Sequence, residues 1–264
     1  MIKNKIFLAI ILISSSVCAK STCADLHGQQ SYKPLIMKNG TICFVQEPTL
    51  DPKTGAPLGT DSISLYYIAN GNVPAKAEGR GLLYDETPGV IVDAFSRKVG
   101  RDHRDQVFVI HSMEVRNSLV EPNSSGKFYS VSVFYPSGNI LHRDERASDW
   151  FGADYSWLSD GKRVIYRFPY MSKNDVQQAI DSPFASLMID DSKTPVRVKF
   201  KSYLFEEPNV KSKTKKYLIA GDRAVVEKVT AGWCEVNYSG GAKRIDMWLM
   251  CSALDVESQT KNAN

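Results

Sequence analysis

Residues 201–256 read KSYLFEEPNVKSKTKKYLIAGDRAVVEKVTAGWCEVNYSGGAKRIDMWLMCSALDV. Short runs of alternating apolar and polar residues are cut by turn residues. Gly221-Asp222 precedes one run, Gly232 stands before Trp233, and Ser239-Gly240-Gly241 separates two more. Alternation with a period of two, bounded by such turns, predicts short antiparallel strands joined by hairpins.

The details of this stretch resemble a bacterial SH3-type (SH3b) module over about residues 198–256. The matching elements are Tyr203-Leu204-Phe205 before a Glu-Pro, Leu218 with Gly221-Asp222, Gly232-Trp233, and Trp248-Leu249 with Leu254. The resemblance implies a small SH3-like barrel and a binding module rather than a chemistry. It places Val236 and Leu249 in the barrel core. Residues two apart on a strand share a face, so Cys234 and Cys251 also point inward, nearly opposite each other across the hairpin. The same parity sends Trp233 to the outer face. Tyr203, Phe205, Trp233, Tyr238 and Trp248 then form a candidate ligand surface, since aromatic rings offer apolar area with a polar handle. Two readings of Trp233 stand, a ligand contact and a lid over one edge of the core. Lys211, Lys213, Lys215 and Lys216 precede Leu218. They either keep a sheet edge soluble or meet an anionic polymer or acidic partner.

The opposite end of the chain sets the expected compartment. Met1 to Lys5 is basic, Ile6 to Ile13 is an unbroken apolar run, and Val17 and Ala19 occupy the positions that signal peptidase reads. A leader at 1–19 follows, cut after Ala19, with Ala24 as an alternative. The run is too short to span a bilayer, which takes about 20 residues, so the mature chain has no expected integral membrane segment. Lipidation at Cys18 is the competing reading. Loss of Lys3 and Lys5 lowers the formal net charge from +4 to +2, and no arginine-rich face accompanies it, which argues against a nucleic-acid partner. Of five cysteines, Cys23, Cys43, Cys234 and Cys251 remain. An even number in an exported chain reads as disulfides. Position favours Cys23–Cys43 and Cys234–Cys251 among the three connectivities.

Between these ends, residues 20–193 read as one mainly antiparallel β region, a meander or roll, followed by the barrel at 196–256 and a polar tail at 257–264. Thr41–Val45 is a strand. Glu47–Thr60 reads as a loop because of its Pro and Gly content, and Ile63, Leu65 and Tyr67 alternate in the next strand. In the longest pattern Val107, Val109, His111 and Met113 share one face, with Phe108, Ile110 and Ser112 on the other. Tyr129, Val131 and Val133 alternate with Ser130 and Ser132. The segment holding Trp150, Phe151, Tyr155 and Trp157 is either a second recognition surface or a plug closing one end of the fold. Ser172 with Asp175 resembles a capping box opening a helix, and Ser182-Pro183 starts a second short one, with Phe184, Leu187 and Met188 at helical spacing. The expected class is therefore mainly β, with a short helical hairpin.

Catalytic patterns are missing. SH3b modules accompany cell-wall hydrolases with a cysteine nucleophile and a histidine base, but the four cysteines are better spent in disulfides. His27, His103, His111 and His142 form no zinc-binding spacing, and no nucleophile elbow surrounds a serine. No cofactor motif is present. The expected function is a non-catalytic exported binding protein, recognising cell-wall (peptidoglycan) peptide or an envelope protein. The alternative is a periplasmic immunity or inhibitor protein neutralising a secreted toxin, and a divergent cell-wall hydrolase comes third.

Overall fold

The computed structural model describes residues 21–70, 72–100, 103–115, 121–239 and 245–257. The expected leader with Cys18, the Gly240-Gly241 turn and the tail beyond residue 257 lie outside these residues. The chain is mainly β and antiparallel, with two α-helices among the described residues.

Four strands make the first sheet: β1 (Gln29–Met37), β2 (Gly40–Leu50), β3 (Pro57–Ala69) and the short β4 (Ala75–Lys76), paired in chain order. A second sheet follows, with β5 (Val90–Val99), β6 (Arg104–Glu114), β7 (Lys127–Ser137) and β8 (Ile140–Arg143). Helix α1 (Glu145–Phe151) leads to β9 (Ala153–Tyr155), which returns to pair with β7. A separate hairpin, β10 (Trp157–Ser159) with β11 (Val164–Arg167), precedes α2 (Lys173–Ile180) and a 3-10 turn at Ala185–Met188. The last sheet holds β12 (Thr194–Val198), β13 (Ser202–Phe205), β14 (Lys213–Leu218), β15 (Arg223–Thr230), β16 (Trp233–Tyr238), β17 (Ile245–Met250) and β18 (Leu254–Val256).

The second sheet is the middle layer, and β6 shows why. Val107, Phe108, Val109 and Ile110 are all fully buried. Val107 and Val109 pack with Phe44, Leu65 and Tyr67 of the first sheet. Phe108 and Ile110 face the other way, with Val131 and Val133 of β7, Phe151 of α1 and the apolar residues of the last sheet. A strand covered on both faces needs apolar residues at consecutive positions, and each such side chain contributes about 1.5–3 kcal/mol by burial. The second of these cores is continuous from Phe95 through Trp150 to Leu254. The change of sheet at residues 190–195 is a boundary in the chain, not a break in the core.

Both expected disulfides are present. Cys23–Cys43 pins the arm before β1 onto β2, with a Cα–Cα distance of 5.5 Å, and Cys234–Cys251 joins β16 to the end of β17 at 5.0 Å. The Ser172–Asp175 capping box opens α2 as expected.

Other expectations change. Residues 20–33 show little periodicity in the sequence, yet a strand, β1, begins at Gln29 as a half-exposed edge with irregular register on β2. The Pro-rich segment 47–60 is mostly strand, with only the turn after Leu50 and before Pro57 outside β2 and β3. Pairing of β1 with β2 ends at Gln46, so Pro48 lies where β2 has one neighbour, and an edge tolerates its missing N–H. Trp150 and Phe151, expected in an aromatic-rich loop over 149–157, instead belong to α1, whose N-cap Asp144 accepts from the Ala147 N–H at 3.0 Å. Finally, the last sheet is an open path. Its order is β14-β13-β17-β16-β15-β12-β18, and its end strands β14 and β18 are not paired with each other, so no closed barrel forms among the described residues.

Candidate functional site

Strand parity in β16 is as expected, since Cys234 and Val236 are buried inside the last sheet with Leu249. Trp233 does point to the other side, but that side is covered. Tyr166 stacks on its ring at 6.0 Å, Phe205 meets it edge-on at 4.9 Å, and the side chain is only 1% exposed. Its expected place on an open ligand surface is therefore corrected: β11 and β13 bury it. Phe205, Tyr238 and Trp248 are half-buried and pack against the same core. Among the five candidates, only Tyr203 is exposed.

Tyr203 lies in a face that the sequence reading only half identified. In the β13–β14 pair Tyr203 stands opposite Tyr217, and the rings meet at 6.1 Å and 72°. They are 40% and 48% exposed. Lys201 Nζ sits 4.0 Å from the Tyr217 centroid and 5.6 Å from that of Tyr203, and Lys213 Nζ sits 3.8 Å from the Tyr203 centroid. Each such cation–π contact contributes about 0.5–1 kcal/mol at an exposed site, which holds the ammonium groups over the rings. Lys215 is exposed and lies between Lys213 and Tyr217, where the register of β13 on β14 shifts. The Thr214 hydroxyl turns the other way and donates to the Leu204 carbonyl at 2.8 Å, fastening the hairpin. Exposed Phe200 and Ile219 lie at its base.

Charge on this hairpin is unevenly neutralised. Lys211 pairs with Glu121, tying the hairpin tip to the large β region. Lys216 approaches the Met247 sulfur at 3.9 Å. Among the described residues no carboxylate lies within ion-pair distance of Lys201, Lys213 or Lys215. Among the described residues β14 ends the sheet, which leaves one of its edges without a partner strand. Three free ammonium groups, two tyrosine rings and an open strand edge can hold an extended anionic chain.

The second aromatic segment is a plug. Trp150, Phe151 and Tyr155 are buried, and Trp157 is half-buried in the β10–β11 hairpin. Trp150 stacks on Tyr170 at 5.7 Å, and Phe151 meets Tyr170 and Phe108 edge-on at 5.0 and 5.9 Å. They close the space between the middle and last sheets.

The histidines follow their ordinary roles. His111 is buried, its Nε2 lies 2.8 Å from the Pro88 carbonyl oxygen, and burial lowers its pKa, so the ring is neutral. Gly89, at φ +70°, lies so close that a Cβ there would be 2.5 Å from Nε2. His27 and His103 are exposed, and His142 Nδ1 is 3.2 Å from Glu78. No cluster of three metal-ligating side chains occurs among the described residues. One carboxyl group is strongly perturbed: Asp154 on β9 is pushed up to about 6, chiefly by burial, with Glu121 adding to the rise and the Tyr155 N–H opposing it.

Tyr217 and Lys201 were missed because single-strand periodicity does not say which residues face each other across a hairpin. The signal was present as Lys213, Lys215 and Tyr217 at alternate positions. Comparison with family models, with curated proteins and with solved structures finds no match for this chain.

Proposed function

We propose that this chain is an exported binding protein whose C-terminal sheet grips a carboxylate-bearing partner of the cell envelope, with the peptide of the cell wall as the leading ligand. The observation that carries this reading is the exposed Tyr203–Tyr217 pair with Lys201 and Lys213 over its rings and Lys215 beside it. Wall peptides are extended and carry free carboxylates, which suits ammonium groups beside an open strand edge.

Export is supported more broadly. Two disulfides suit an oxidising compartment, and no helix among the described residues is long and apolar enough to cross a membrane. An SH3-like reading of the last sheet is supported by its order. A meander β15-β16-β17 is followed by a 3-10 turn at Cys251–Ala253 and a last strand that returns to β12, while β13 and β14 form a side hairpin. A binding role rather than hydrolysis fits the disulfide-bound cysteines and the buried, neutral His111.

The test is sedimentation with purified peptidoglycan. Wild-type protein is expected to pellet, and Tyr203→Ala/Tyr217→Ala or Lys201→Gln/Lys213→Gln/Lys215→Gln to stay in the supernatant while melting like wild type. Wild-type protein that sediments no more than a control protein overturns the reading.

A further inference from the structure

A second concavity, built from other residues, lies between α2 and the turn joining β15 to β16. It is a cleft of ≈ 530 Å³ whose walls include Trp150, Tyr170, Ala179, Phe184, Gly232 and Met250. That volume falls within the range of pockets that take small molecules or peptide side chains, roughly 300–1,000 Å³. The cleft is open because its two sides carry small residues, Ala179 on α2 and Ala231-Gly232 on the turn.

The turn is held in a costly shape. Ala231 has φ +49°, a left-handed conformation that an alanine rarely adopts. Three contacts keep it there. The Tyr166 hydroxyl donates to the Ala231 carbonyl at 2.8 Å, the Thr230 hydroxyl donates to the Asp149 carbonyl at 2.8 Å, and Gly232 passes so close to Pro169 that a Cβ would lie 2.8 Å from its Cγ. Backbone held in such a region gathers at ligand-binding places more often than elsewhere.

Polar groups on the rim select among ligands. Arg167 is exposed, lines the cleft, and has no carboxylate within ion-pair distance among the described residues. The Asp175 carboxylate on the same rim is engaged by the backbone N–H and hydroxyl of Ser172. The site thus offers an apolar floor and one guanidinium without a carboxylate partner among the described residues.

We propose that this cleft binds an apolar side chain carrying an adjacent carboxylate, the C-terminal residue of a peptide, with the ring or alkyl group against Tyr170, Phe184 and Met250 and the carboxylate on Arg167. It is independent of the lysine–tyrosine face and stands or falls separately.

The test is NMR titration of the folded full-length mature protein with N-acetyl-phenylalanine, and in parallel with N-acetyl-phenylalaninamide, which lacks the carboxylate. Saturable shifts are expected at Ala179, Gly232 and Met250. The amide and the Arg167→Gln variant should each weaken binding about tenfold, as loss of a charge-assisted hydrogen bond implies. Ala179→Phe should abolish binding by filling the cleft. Ser252→Trp, at an exposed rim position, does the same without touching the core, should Ala179→Phe not fold. Tyr203→Ala should leave the titration unchanged. Absence of saturable shifts at these residues up to the solubility of the acid overturns the proposal. So does equal binding of acid and amide, or full binding by Ser252→Trp.

Discussion

Trp233 and Tyr203 occupy equivalent sides of neighbouring parts of one sheet, and their surroundings could hardly differ more. Both lie away from the interior that holds Cys234, Val236 and Leu204, yet Trp233 is 1% exposed and Tyr203 40%. The difference comes from what lies above them. Tyr166 of β11 and Phe205 cap Trp233, while the β13–β14 hairpin projects past this cover and leaves Tyr203, Tyr217 and their lysines in water. Strand parity assigns a side chain to a face. Only the neighbouring layer decides whether that face is a surface.

The sharpest way to break the comparison is to truncate both rings. Trp233→Ala is expected to cost about 3–5 kcal/mol, the usual range for a large aromatic removed from a core, read as a lower midpoint in denaturant. Tyr203→Ala is expected to shift stability by no more than about 0.5 kcal/mol, as for surface positions. A small loss from Trp233→Ala would show that the cover is loose in solution. A corollary concerns binding assays: lost binding by Trp233→Ala would report a damaged core, not a missing contact.

The staple beneath Trp233 is next in size. Cys234–Cys251 spans 17 residues, a loop whose closure contributes about 3 kcal/mol. Cys234→Ala/Cys251→Ala should lower the denaturation midpoint accordingly, and equal midpoints would show that the bridge adds nothing.

The cover over Trp233 also carries a pH signature. Asp154 lies near Tyr166, whose hydroxyl pKa is raised by burial and by that carboxylate. Its own pKa rises from the ordinary 3.8 to about 6 on folding. The folded state therefore binds the extra proton, so the contribution to stability is full below about pH 4 and is lost as pH rises through about 6. Asp154→Asn should thus stabilise the protein by about 3 kcal/mol at pH 8, with the gain vanishing near pH 4. His111 acts in the opposite direction. Its folded pKa is lowered from 6.5 by burial, so stability falls as pH drops below that value, and the fall should be absent in His111→Gln. Urea titrations at pH 4, 6 and 8 check both signs, and a pH-independent gain for Asp154→Asn would refute the first.

The smallest stability effect belongs to the exposed face. Lys201→Gln/Lys213→Gln/Lys215→Gln should leave the melting temperature within about 2 °C of wild type, consistent with surface substitutions, while abolishing peptidoglycan sedimentation, which in wild type should weaken as salt rises. A triple variant that still binds in a salt-sensitive manner would place the contact elsewhere.

How much of this was legible beforehand varies with the range of the interaction. The β6 strand could be read because four consecutive buried apolar residues and their alternating partners are written locally. The Ser172–Asp175 cap is likewise a contact between residues three apart. Edge strand β1 escaped because half-exposure and irregular register blur the period of two. Helix α1 escaped because its buried aromatics look like those of a plug loop, and only Asp144 marked its start. Within the candidate face, Tyr203 was found and Tyr217 was not. Their meeting depends on the register of two strands separated by a bulge, which neither strand encodes alone.

By itself, the sequence determined the strand-rich antiparallel class and the parity of β16 and β17, and it favoured, among three connectivities, the disulfide pairing that forms, because alternation and cysteine placement act over short spans. The tertiary structure alone decided that Trp233 is roofed over, that Tyr217 joins Tyr203 between two lysines, and that Ala179 and Ala231-Gly232 leave a cleft open. Burial and apposition depend on what another layer places overhead, and that is a property of distances between elements rather than of any one stretch of chain.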